Sequence, residues 1–139
     1  NQGPDFDALW ADVMQADLTP YVQFLGARPN PLDYFAAFDV FALVSREDPF
    51  PVVNLEAALV GKPIVCFDGG GGAREFVEDD CGFIVPYLDI ENMASKVEEL
   101  LKSEELRCRL GQRAAQKVRE RHDVLIAAPR ILNMIRRYI

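Results

Sequence analysis

At 45–56 the chain reads Ser-Arg-Glu-Asp-Pro-Phe-Pro-Val-Val-Asn-Leu-Glu, which sets acids on both sides of a helix start. Backbone N–H groups left free at a helix start favour an anion, while Asp48 and Glu56 can accept hydrogen bonds from sugar or ribose hydroxyls. This spacing suits a ligand that carries several hydroxyls beside a phosphate. Taken singly, Asp48 also reads as a turn residue and Glu56 as a solvated helix position, since acids are common at helix starts.

A second motif follows: Asp68, four glycines at 69–72, then Ala-Arg-Glu-Phe-Val at 73–77. Glycines let the backbone take positive φ and approach a ligand closely, and a helix opening beside them adds free N–H groups. Gly70 and Gly71 are therefore candidates for an anion or sugar seat, although a flexible connector would look the same. Glu75 either reaches into the same cleft or complements the helix N-terminus.

The elements that must position these motifs alternate between strand and helix. The apolar run Asp-Val-Phe-Ala-Leu-Val at 39–44 predicts a buried parallel strand that delivers the acidic loop. The segment 52–59 predicts a buried helix with Pro51 near its first turn, stopped by Gly61. Ile-Val-Cys-Phe at 64–67 predicts the strand that leads into the glycines, and Gly-Phe-Ile-Val at 82–85 the last strand. Upstream, residues 1–4 read as a loop, and Leu9, Trp10, Val13 and Met14 recur at helical spacing over 5–18. The segment 21–25 reads as a short strand closed by Gly26, and 32–38 as a compact helix. Downstream, Asp89 and Ser103 should cap two helices with one apolar stripe each, and Pro129 should begin a final helix that carries Ile131, Leu132, Ile135, Tyr138 and Ile139. The expectation is one α/β domain over 1–139 with four parallel strands and a helical tail at 123–139. In such a sheet the strand-to-helix loops face one rim, where ligands bind.

Composition narrows the function. The 139 residues, half of them apolar, carry a net charge of −7, which argues against a nucleic-acid partner. Arg113, Lys117, Arg119, Arg121, Arg136 and Arg137 make the last third locally basic, and are expected on solvated helix faces. No apolar run approaches a membrane span and no charged-then-apolar leader opens the sequence, so a cytoplasmic location is expected. Cys66, Cys81 and Cys108 lack metal-ligand spacing and read as reduced thiols, Cys66 in the core. His122, the only histidine, sits in a charged run at a helix end and reads as a surface residue without chemistry.

With these residues in place, the sequence resembles the C-terminal, donor-binding half of the retaining glycosyltransferases of family 4, which have the two-domain GT-B fold. The resemblance runs through Val22-Gln-Phe-Leu-Gly26, the strand at 39–44 with Ser45, Pro51 to Glu56, Ala57-Ala-Leu-Val-Gly-Lys-Pro-Ile-Val65, the glycine run with Glu75, Gly82-Phe-Ile-Val-Pro86 and the helical stretch through Leu110-Gly111. It implies a Rossmann-like sheet and a cleft for a nucleotide-activated sugar. The family carries two glutamates at the spacing of Asp48 and Glu56. By carry-over, Glu56 would hold ribose hydroxyls, and Asp48, or Glu47 if the loop bulges, the hexose hydroxyls. Backbone N–H groups near Phe50, Pro51 and Val52 would face the sugar and its phosphate, and Gly26 and Arg28 would lie near the base. Aspartate in place of the first glutamate draws that carboxylate back by about 1.5 Å.

The resemblance further implies hexosyl transfer from a nucleoside diphosphate to an acceptor with retention, without a cofactor or bound metal. It also implies a full-length protein, cytoplasmic or peripheral to a membrane, whose N-terminal domain binds the acceptor. The family's C-terminal half normally starts with a strand, a helix and a second strand, which precede the region matched here. On that basis the chain alone is expected to be inactive, with a gap in its sheet that another copy of the chain is one candidate to fill. The alternative is a non-catalytic nucleotide-sugar-binding module. A receiver-like phosphoryl acceptor would need a lysine at the carboxyl end of a later strand, whereas Lys62 precedes its strand.

Overall fold

The computed structural model describes residues 5–138, so the loop expected at 1–4 and the last residue of the tail lie outside the described residues. The chain divides into two compact units, 1–31 and 32–139.

In the first unit, the apolar spacing noted above forms helix α1 (Phe6–Gln15). Phe6 and Trp10 stack at 6.4 Å, and Phe24 meets both rings edge-on at 5.1 and 5.9 Å. The strand expected at 21–25 does not form. A strand exists only as a hydrogen-bonded pair, and this unit offers no second strand among its described residues; the aromatic contacts of Phe24 hold the segment instead.

The second unit is an α/β layer structure. Helix α2 (Pro31–Ala37) leads through the packed rings of Phe35, Phe38 and Phe41 into strand β1 (Phe41–Leu43). Then follow α3 (Val52–Leu59), β2 (Ile64–Phe67), α4 (Ala73–Val77), β3 (Gly82–Val85), α5 (Ile90–Lys102), α6 (Glu104–Arg121) and α7 (Val124–Ile135). The three strands form a parallel sheet in the order β1-β2-β3, with Leu43 opposite Cys66 and Cys66 opposite Ile84. This is a Rossmann-like arrangement, three of the four expected strands being present.

β2 is buried along its whole length, as a central parallel strand flanked on both faces must be. Its alternate residues feed two cores. Ile64 and Cys66 join Leu43, Ala58, Phe76, Val77, Ala114 and Val118, whereas Val65 and Phe67 join Val85, Met93, Leu100 and Leu110. Cys66 is thus the small core residue its setting predicts.

Helix α6 spans the depth of the sheet. Near its middle Gly111 rests on the turn before β2, where a Cβ would come within 1.9 Å of the Gly61 carbonyl oxygen. The absence of a side chain sets the distance of closest approach.

Two expectations about the last third need correction. Lys117 is fully buried: its ammonium donates to the Phe76 carbonyl and Glu78 at 3.0 Å each and to Asp80. Arg113 pairs with Asp80 and Glu120, and Arg121 with Glu78. These charges fasten α6 to the α4–β3 turn. Lys117 lies on the same stripe as Leu110, Ala114 and Val118, a spacing visible in the sequence. The final helix starts at Val124, capped by the Asp123 side chain, with Pro129 inside it. The Asp123 carboxylate accepting the Leu125 N–H at 2.8 Å sets the start five residues before the proline.

Candidate functional site

The loops after β1 and β2 leave the same rim of the parallel sheet, and their backbones are joined. The Asp48 N–H donates to the Gly70 carbonyl at 2.9 Å, and the Gly72 N–H donates to the carbonyls of Asp48 at 3.1 Å and Pro49 at 3.0 Å. Asp48 and Gly71 thereby form a parallel bridge outside the main sheet. A Cβ at Gly71 would lie 1.8 Å from the Asp48 carbonyl oxygen, and one at Gly72 2.3 Å from that of Pro49. The glycine run therefore permits contact between two loops as well as positive φ, which reaches +119° at Gly71.

From the opposite side, the Tyr87 hydroxyl of the loop after β3 donates to the Arg46 carbonyl at 3.3 Å. Three consecutive strand-to-helix loops thus share one rim.

Pro51 is the N-cap of α3 and supplies no side-chain cap; in the first turn the Asn54 N–H donates to the Pro51 carbonyl at 3.1 Å, and no side chain caps the N–H groups before it. The N-terminus of α4, at Gly72, likewise has no side-chain cap. By contrast, α5, α6 and α7 are capped by Asp89, Ser103 and Asp123. The Asn92 N–H and amide that hold the Asp89 carboxylate keep its pKa below the ordinary range.

Some acids of this unit have basic partners and others do not. Asp68, Glu78 and Asp80 are engaged by Arg74, Lys117, Arg113 and Arg121. Burial alone would raise the Asp80 carboxyl, but hydrogen bonds from Lys117 and Arg113 overcome it and bring the pKa down to about 2. Among the described residues, no side-chain hydrogen bond or ion pair engages Glu47, Asp48, Glu56 or Glu75. Asp48 and Glu56 are half-buried, and Glu47 is exposed.

The structure brings Asp48, Gly70 and Gly71 into direct backbone contact, with Phe50, Pro51 and Val52 following at the start of α3. Glu75 is exposed on α4 and lines an open depression with Arg74, Glu78, Asp79 and Ile84. Gly26, at φ +67°, and Arg28 belong to the first unit.

His122 departs from the surface position expected of it. It is half-buried at the end of α6, with ring centroids 5.6 Å from both Phe50 and Phe76. Burial, and then the charge of Arg121, holds its pKa below the usual histidine value. Nothing local in the sequence marks these ring contacts.

Among the described residues no group of three or more His, Cys, Asp and Glu is placed to hold a metal ion, and no helix is long and apolar enough to cross a membrane.

Several known proteins are similar to this chain in sequence or architecture. The chain is 31% identical over 118 residues to an N-acetyl-alpha-D-glucosaminyl L-malate synthase of Bacillus anthracis, covering 85% of this chain and 31% of that protein. It is 33% identical to a Campylobacter jejuni N,N'-diacetylbacillosaminyl-diphospho-undecaprenol alpha-1,3-N-acetylgalactosaminyltransferase, with the same coverage of 85% and 31%. The chain thus spans about a third of the length of these relatives. Anabaena HepE in complex with UDP superposes with a TM-score of 0.88 at 27% identity, over 94% of this chain and 36% of HepE. Sucrose-phosphate synthase of Thermosynechococcus elongatus, at 22% identity, shares the fold with a TM-score of 0.89 over 99% of this chain and 35% of that one. The sequence model of the glycosyl transferases group 1 family matches residues 2–117, and the chain belongs to that family, with the Rossmann-like architecture of a GT-B domain.

Proposed function

We propose that this chain is the donor-binding part of a glycosyltransferase that moves a hexosyl group from a nucleoside-diphosphate sugar to an acceptor with retention of configuration. One observation carries the reading: the loop of Asp48 is bridged to the glycine run beside the start of α3, which has no side-chain cap, and among the described residues no side chain pairs with the Asp48 or Glu56 carboxylate. In this reading the α3 N–H groups receive the donor phosphate, Glu56 accepts from ribose hydroxyls, and Asp48 or Glu47 accepts from the sugar. Gly70, Gly71 and Glu75 flank the sugar. HepE, whose structures hold UDP and UDP-glucose, supports a uridine nucleotide as the first candidate.

The chemistry is positioning and charge stabilisation. A departing diphosphate develops negative charge, and N–H groups already aimed at it lower the barrier without reorganisation. We propose that helix N-termini and basic side chains meet this charge without a resident metal. The remainder of a full-length protein would supply the acceptor site.

Calorimetric titration of the chain with UDP, GDP, ADP and their sugar conjugates tests the donor site. Saturable binding of one nucleotide, lost in Glu56→Ala, is the expected result. A folded chain that binds none of them would overturn a self-sufficient donor site. A product assay on the full-length protein separates transfer from binding alone.

A further inference from the structure

The end of α6 reaches the candidate site from a direction none of its motifs announces. Gly111 lies against the turn that precedes β2, at the amino rim. Eleven residues later, a rise of about 16 Å along the helix, His122 stands at the carboxyl rim. Its backbone N–H closes the helix on the Val118 carbonyl at 2.8 Å.

That end of the helix is firmly placed. One turn back, the buried Lys117 ammonium binds the Phe76 carbonyl, Glu78 and Asp80, while Arg121 binds Glu78 at 2.7 Å. The His122 ring therefore occupies a fixed point between Phe76 of α4 and Phe50 of the acidic loop. It meets Phe50 at 36° and Phe76 at 62°, each at 5.6 Å. Phe50 also abuts Gly72, where a Cβ would come within 2.8 Å of the phenylalanine Cδ2. Phe50 is 38% exposed, so these contacts define its position against open solvent. Its backbone joins the two groups that matter most at this rim, the bridged Asp48–Pro49 segment and Pro51, the N-cap of α3.

We propose that His122 is a positioning residue of the donor site: its ring holds Phe50, and through it the backbone from Asp48 to Val52, in the geometry that receives the donor phosphate. This rests on the donor-site reading above. The imidazole needs no contact with the ligand; it acts as a stop against which the loop closes.

The test compares His122→Ala, His122→Gln and His122→Phe with the unaltered chain in two measurements. Amide hydrogen exchange at Asp48 and Gly72 reads the loop without ligand, with Val65 of the central strand as reference. Titration with UDP-glucose and the other nucleotide sugars reads the site. An aromatic contact of this kind predicts about threefold to tenfold faster exchange at Asp48 and Gly72 in the alanine and glutamine variants. Val65 should be unchanged, affinity should weaken by a similar factor, and the phenylalanine variant should restore both.

Unchanged exchange at Asp48 and Gly72 in His122→Ala would overturn the proposal. So would acceleration that includes Val65 equally, the mark of general loosening, or a loosened loop with unaltered affinity. Failure of the donor-site reading is separately visible: the unaltered chain binds no nucleotide sugar, or Glu56→Ala binds as tightly. Either result would overturn the link to the donor whatever the exchange shows.

Discussion

The backbones of Asp48 and Gly71 are bridged, so the acidic loop after β1 and the glycine run after β2 form one continuous surface. Asp48 is held by its neighbours through its main chain, and its carboxylate has no side-chain partner among the described residues. The same bridge makes a glycine at 71 a structural requirement.

Gly71→Ala should therefore unzip the two loops. The added Cβ would meet the Asp48 carbonyl at 1.8 Å in a backbone at φ +119°. A loss of at least about 2 kcal/mol is expected from strain and broken hydrogen bonds. Gly69→Ala is the control, with positive φ but open space around it, and should cost only about 1 kcal/mol. Urea unfolding of both variants measures the difference; equal losses would show that the close approach is unimportant.

Asp48→Ala and Glu56→Ala should weaken nucleotide-sugar binding, whereas Glu98→Ala, on an exposed helix face paired only with Lys102, should not. Each removes a charged acceptor, for which a loss of about tenfold to a hundredfold is expected. Calorimetry provides the reading, and equal effects at all three positions would refute the site assignment.

Asp80→Asn should destabilise the chain and flatten its response to acid. Hydrogen bonds from Lys117 and Arg113 hold the Asp80 pKa down to about 2, below the ordinary aspartate value of 3.8, so the aspartate contributes stability that is fully present above about 3.8. This contribution is lost as pH falls toward 2, because the unfolded state then takes up a proton that the folded state resists. Thermal unfolding followed between pH 5 and about 2 should show a smaller decline in the asparagine variant. An unchanged profile would mean that the Lys117 and Arg113 contacts hold little energy.

His122 should contribute a second acid-sensitive step, above that of Asp80. Its pKa is lowered from 6.5 by burial and then by Arg121, so the neutral form is favoured in the folded chain. That stability is present above about 6.5 and declines as pH falls through the folded pKa. His122→Phe should remove this step from the thermal profile while leaving the Asp80 step in place.

One thiol should react readily and two should not. Cys108 is exposed, whereas Cys66 and Cys81 are buried, with burial raising both thiols to about 11. Mass spectrometry after brief alkylation at mild pH should find one adduct on the folded chain and three in denaturant. Rapid modification of Cys66 without unfolding would contradict its place in the central strand.

Much of the second unit was legible because its signals are local. Apolar runs bounded by Gly61, Asp68 and Pro86 marked β2 and β3, and Asp89 and Ser103 marked two helix starts through side chains three residues from the N–H groups they cap. The errors arose where a local signal had no partner or a weaker one won. The segment at 21–25 has strand composition but no strand beside it, and the Asp123 cap, six residues before Pro129, starts the last helix in place of the proline.

The sequence by itself determined the order of helices and strands in the second unit, the two ligand-suited loops and the family, because periodicity, caps and motif spacing act over a few residues. Only the tertiary structure decided that the glycine run closes on the acidic loop, that Lys117 is buried and that His122 meets Phe50. Lys117 and Phe76 are 41 positions apart, as are Tyr87 and Arg46. Whether such residues meet is set by how the parallel strands stack and how deeply α6 crosses them, which no local preference encodes.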